Sequence, residues 1–185
     1  EITFQKGQNT SETKKQLAAS IREFRLPRYS EIPNVGLYLE QTTKYIEEFL
    51  EPFHDLSITG SMISNYVKRG LIASPVKKQY NREQIAHLFF ITAAKSVLSL
   101  EELQTILRVQ QRSYPTSVAY DYFCAELENM LQYTFGLKDR IDEVGTPEDR
   151  SESKTMLRSP IIAVTHIISL SSRFDTMKAP EEAES

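Results

Sequence analysis

Apolar residues recur along this chain at helical spacing, in stretches cut by proline, glycine and short polar clusters, a pattern that predicts a mainly α-helical protein. Leu17, Ile21 and Phe24 mark one face of a helix over Glu12–Phe24, with Lys14, Lys15 and Arg22 outside it. The polar first ten residues read as frayed. Leu26-Pro27 and Ile32-Pro33 break the period and enclose a short extended connector. A longer helix is expected over Val35–Phe53, with Tyr38, Thr42, Tyr45, Ile46, Phe49 and Leu50 facing inward. Pro52 and the pair His54-Asp55 close it.

The next helix is short and sharply punctuated. Thr59 is placed to cap its N-terminus, and Gly70 is placed to take the left-handed conformation just past its end. Ile63, Tyr66 and Val67 form a stripe to bury, and Ser61, Ser64, Asn65 and Lys68 form a polar face opposite. After Ser74-Pro75, the alternation in Val76–Tyr80 sets Val76, Lys78 and Tyr80 on one side and Lys77 and Gln79 on the other, as in a small hairpin arm. Asn81 with Gln84 has the spacing of a capping box and opens a helix through Val97. Ser99 with Glu102 is a second box, stapled by Leu98 and Leu103, and its helix carries Leu100, Leu103, Ile106 and Leu107 inward.

Past Ser113-Tyr114-Pro115, helical spacing returns in Ala119, Tyr122, Phe123, Glu126, Leu127, Met130 and Thr134, with Gly136 as the stop. The charged stretch 137–153, with Gly145-Thr146-Pro147, reads as a loop or mobile linker. The last element runs from Met156 to Phe174. Its Ile and Val content would suit a strand, but nothing of matching length could pair with it, so a buried helix starting at Pro160 is expected. The tail from Lys178 is acidic and reads as disordered.

Composition narrows the class. The 185 residues are 40% hydrophobic and 25% charged, enough for one sizeable core or two small ones. One cysteine, Cys124, leaves no disulfide framework and no Cys-rich zinc site, as in a reduced, cytoplasmic protein. The chain opens at Glu1 rather than Met, which reads as the loss of a few leading residues. Neither a leader pattern nor an apolar run of roughly 18 residues is present, so no membrane partner is expected. Enzymatic motifs are missing too: His54, His87 and His166 lack metal-ligand spacing, and there is no phosphate loop or nucleophile elbow. No cofactor or metal is expected. Cys124 reads as a small core residue and His166 as a hydrogen-bonded core histidine. Tyr120, Tyr122, Phe123, Tyr133 and Phe135 suit a core at helical spacing, or the lining of a pocket for a small-molecule effector.

Charge is distributed unevenly. The whole chain stands at −3, yet from Leu56 to Arg82 its charged residues are all cations: Lys68, Arg69, Lys77, Lys78 and Arg82. A basic island on an acidic protein suits a polyanion, and a nucleic-acid backbone is the commonest. The polar face of the short helix would fit a major groove, where Asn65 could pair with adenine or stand as an ordinary exposed amide. Tyr66 lies in the apolar stripe and reads as core rather than as a base-stacking residue. Lys77 and Lys78 suit phosphate contact, or simply the solubility of a hairpin edge.

Tyr66, Gly70, Leu71, Tyr80 and the helix beginning at Arg82 resemble the reading core of the MerR-type winged-helix family. A closer likeness is to an uncharacterised bacterial family, domain of unknown function 1836. It rests on Leu26 to Pro33, on the core Ser61 to Lys68 and on the wing Lys77 to Tyr80. The resemblance spans Leu26 to Leu107 and implies a helix-turn-helix fold without assigning an operator or ligand. Two departures stand out: Asn65 replaces the arginine usual before the Tyr position, and three separate helices replace one long dimerising helix.

Together these features predict a winged helix-turn-helix with a small β-hairpin wing and a C-terminal helical layer. The expected division is an N-terminal helix and connector (1–29), the winged module (30–98), the helical region (99–177) and the tail (178–185). The function expected is transcription regulation by a homodimer on duplex DNA, contacted through Ser61, Ser64, Asn65, Lys68, Arg69, Lys77, Lys78 and Arg82. The final helix, with Leu157, Ile161, Val164 and Ile168 in one stripe, would form the dimer contact. The alternative keeps the fold as a non-enzymatic protein-interaction adaptor that binds no DNA.

Overall fold

The computed structural model describes residues 8–178. It is mainly helical: α1 (Gln8–Glu23), α2 (Leu39–Leu50), α3 (Gly60–Lys68), α4 (Arg82–Ala94), α5 (Leu100–Ser113), α6 (Thr116–Thr134) and α7 (Glu152–Lys178). Two short strands, β1 (Leu37–Tyr38) and β2 (Gln79–Tyr80), make a small antiparallel sheet. No described helix is long and apolar enough to cross a membrane.

Local signals set most helix ends. Asn81 and Gln84 cap each other reciprocally, as do Ser99 and Glu102, so both capping boxes form. α4 then stops at Ala94 rather than Val97, and residues 95–97 turn toward the second box. α1 begins at Gln8, ahead of the expected Glu12, so residues 8–10 are helical rather than frayed. The other residues expected to fray lie outside those described, as does the tail beyond Lys178.

The helix expected over Val35–Phe53 is shorter, because its first part is drawn into the sheet. Leu37 pairs with Tyr80 and Tyr38 with Gln79, which leaves Tyr38 exposed as the N-cap residue of α2 instead of facing the core. Gly36 makes this approach possible: a Cβ there would sit 2.6 Å from the Cβ of Gln79. Thr42, Ile46 and Leu50 do face inward.

One hydrophobic cluster runs from Ile21 to Ile168 and crosses the boundary expected between 98 and 99. Its centre is α4, where Ile85, Ala86, Leu88, Phe89, Ile91, Thr92, Ala93 and Ala94 are all buried. Phe89 meets Tyr45, Phe49 and Tyr120 at centroid distances of 6.0, 6.1 and 6.0 Å. The Leu26–Pro33 connector is tied to α6 by a two-pronged Arg28–Glu128 pair at 2.7 and 2.8 Å and by Glu128 accepting from the Leu26 amide.

α7 departs most from expectation. It is a single helix from Glu152, and Pro160 lies inside it rather than opening it, at the loss of one backbone donor to the carbonyl of Met156. Leu157, Ile161, Val164 and Ile168, expected at a dimer contact, are buried within the single chain. Nor is the apolar run covered all round, since Ile167 and Leu170 are exposed. His166 also faces solvent and is no core histidine.

Candidate nucleic-acid interface

α3 is built as a small amphipathic rod. The Thr59 hydroxyl accepts from the Met62 amide at 3.2 Å, capping the start. Gly70, at φ 73°, lets the chain turn back so that the amides of Leu71 and Gly70 bond to the carbonyls of Tyr66 and Val67. Ile63 and Tyr66 are buried, which gives Tyr66 to the core, while Ser61, Ser64, Asn65, Lys68 and Arg69 are exposed. The expected polar face therefore exists as one surface.

Three side chains hold this rod in place through contacts that no sequence pattern marked. Lys95, just past the end of α4, donates to the Ser57 carbonyl in the connector before α3 and touches the Met62 sulfur at 3.8 Å; burial lowers the affinity of its amine for a proton. Gln104 of α5 donates to the Arg69 carbonyl at 2.8 Å. Gln84 of α4 donates to the Ala73 carbonyl at 2.9 Å and fixes the segment leaving the helix.

The hairpin differs from an alternating arm. Val76 and Gln79 bond to each other in both directions, and Lys77 and Lys78 lie between them at φ 52° and 64°. That is a two-residue type I′ turn, a conformation that asparagine and glycine favour and lysine does not. Both lysines stand at its exposed tip. Tyr38, Gln79 and Val76 are successive cross-strand partners and so share one face, on which Tyr38 and Val76 are exposed, while Tyr80 is buried on the other.

Arg82 is used differently from the other cations. It is half-buried; its Nε donates to the Ile32 carbonyl at 2.8 Å, an Nη reaches the Ser30 carbonyl at 3.5 Å, and the guanidinium lies 5.7 Å from the Tyr29 ring centroid. It ties α4 to the connector. Lys68, Arg69, Lys77 and Lys78 form no ion pair among the described residues.

Residues 27–123 match the family model described as a domain of unknown function, DUF1836. The chain belongs to the DUF1836 family. The matched segment contains the sheet, α2 to α5 and the first part of α6, so the whole basic surface is DUF1836 sequence. No curated protein and no solved structure matches the chain significantly.

The aromatic set beyond the DUF1836 centre is mostly structural. Tyr120 and Phe123 are buried, Tyr133 is exposed, and Tyr120, Tyr122 and Phe123 border an apolar cavity with His87, Phe90 and Leu157. The cavity measures about 30 Å³, room for a water or two. Cys124 is fully buried, and that burial pushes its thiol up to about 12, which makes it a core residue rather than a nucleophile.

Proposed function

We propose that this DUF1836 protein is a DNA-binding transcriptional regulator, with α3 lying in a major groove and the 76–79 turn acting as a short wing on the neighbouring backbone. The observation that carries the reading is a two-faced α3. Its apolar stripe is buried in the core, its polar face is free, and the cations at its end and at the hairpin tip have no acidic partner among the described residues. The order β1, α2, α3, β2, α4 supports it, because a sheet that brackets a helix pair is the plan of the MerR-like winged helix. The segment 51–59 between α2 and α3 is longer than the roughly three or four residues of a compact helix-turn-helix, and Phe53, Leu56 and Ile58 anchor it in the core. In this reading Ser61, Ser64 and Asn65 face base edges, and Lys68, Arg69, Lys77 and Lys78 meet phosphates.

The protein should retard duplex DNA at low salt, with log affinity falling linearly with log salt. Replacing Lys77 and Lys78 with Ala should weaken binding to every sequence and reduce the slope by about two contacts. A folded protein that leaves duplex DNA unshifted at low salt would end this reading. The adaptor alternative draws on one specific observation, the apolar surface of Val35, Tyr38 and Val76 beside the hairpin, at 72%, 51% and 72% exposure. It becomes the better account if DNA binding fails while Tyr38→Ser and Val76→Ser abolish capture of a protein partner.

A further inference from the structure

A hollow of about 430 Å³ lies where the stretch 141–151 passes over α6 and the start of α7. That stretch is fastened at both ends. Asn129 of α6 donates to the Asp142 carbonyl at 2.9 Å and accepts from the Asp142 amide at 3.2 Å, and the Tyr114 hydroxyl donates to the Asp149 carboxylate. The base of the hollow is polar. Glu126 is only 2% exposed; one carboxylate oxygen accepts from Asn129 at 3.2 Å, and the other lies 3.7 Å from Nε of Arg158, within reach of its charge but too far for a hydrogen bond. One turn earlier on α6, the Tyr122 hydroxyl is buried without a hydrogen-bond partner among the described residues. Buried polar atoms are rarely left so. The overlying stretch adds an apolar wall of Ile141, Val144 and Pro147, in which Ile141 is 41% exposed.

We propose that this hollow binds a free α-amino acid with an apolar side chain. The ammonium donates to Glu126 and to the Tyr122 hydroxyl, the carboxylate meets Arg158, and the side chain rests on Ile141, Val144 and Pro147. Charge selects a zwitterion. Asp142 is paired with Lys138, and the other charged residues lining the hollow are three acids, Glu126, Glu143 and Asp149, and three cations, Arg150, Lys154 and Arg158. A ligand of one sign would satisfy one member of the Glu126–Arg158 pair at the base and repel the other. Spacing selects the α form, because groups 3.7 Å apart call for an ammonium and a carboxylate carried on one carbon. The Tyr122 hydroxyl gains the partner that the chain does not supply. The site is independent of DNA binding, and Glu126, Arg158 and the stretch over them lie beyond the matched residues 27–123.

Isothermal titration of the full chain with L-leucine, L-valine and L-phenylalanine should give saturable heat with at least one of them. The N-acetyl and amide derivatives of that amino acid, each lacking one charge, and γ-aminobutyrate, whose charges stand far apart, should bind at least about tenfold more weakly. Tyr122→Phe keeps the ring, and Arg158→Gln alters a side chain that is 41% exposed, so both should fold with native circular dichroism. Each should weaken binding about tenfold. Folded wild-type protein that gives no heat with any of the three, derivatives that bind as tightly as the free amino acid, or unchanged affinity in both variants would overturn the proposal.

Discussion

Arg82 closes the basic run in sequence, but its guanidinium is spent on the backbone of the connector at Ile32 and Ser30 and on the face of Tyr29. Charge-assisted hydrogen bonds in a half-buried setting contribute about 1.5–3 kcal/mol. Arg82→Met should therefore lower the urea midpoint by a stability change of about 2 kcal/mol, and leave the salt slope of DNA binding where it was. A variant of native stability with a shallower slope would instead return Arg82 to the phosphate-binding set. Charge sign is visible in a sequence; what a cation has already bound is not. That difference separates Arg82 from Lys77 and Lys78, which the same pattern grouped together.

Among the elements, those governed by neighbours in sequence were legible. Thr59, Asn81 with Gln84, Ser99 with Glu102, Gly70 and Gly136 fix helix ends through contacts a few residues long, and the polar and apolar faces of α3 follow from its period alone. The sheet was only half legible: the hairpin arm Val76–Tyr80 shows in the sequence, but its partner Leu37–Tyr38 lies far away in sequence, inside a stretch whose spacing reads as helix. The braces from Lys95 and Gln104 were hidden for the same reason. The hairpin tip offers a test in which stability and binding move in opposite directions. A type I′ turn prefers Asn-Gly, and side chains in the left-handed region cost about 1 kcal/mol each. Lys77→Asn with Lys78→Gly should raise the melting temperature and weaken DNA binding together. A rise in melting temperature with DNA affinity unchanged would show that the lysines are there for solubility.

For the molecule as a whole, two histidines set opposing pH dependences. His54 is raised above its ordinary 6.5, first by its bond to the Asp175 carboxylate and then by Asp55. Its protonated form links the end of α7 to the connector between α2 and α3, so this contribution is complete below 6.5 and is lost as pH rises through the raised value. The pair is exposed, so the effect should stay below about 1 kcal/mol. His87 is lowered, chiefly by burial beside the small cavity, with Gln110 at 3.2 Å. The folded state resists its protonation, so stability falls as pH drops from 6.5 through the lowered value. Urea midpoints against pH should show His54→Ala costing stability in mild acid and nothing near pH 8. His87→Gln should flatten the decline on the acid side. Matching pH profiles for all three proteins would remove both assignments.

α4 is covered on nearly every side, and its coverage arrives in chain order. α6 and α7 supply much of that cover, and the last buried position of α7, Ile168, lies far downstream. During synthesis at roughly 5–20 residues per second, the segment His87-Leu88-Phe89-Phe90-Ile91 spends several seconds outside the ribosome before its lid has been made. Until then the nascent chain presents an apolar helix covered only on its α2 side, a site for chaperones and proteases that the finished protein no longer offers.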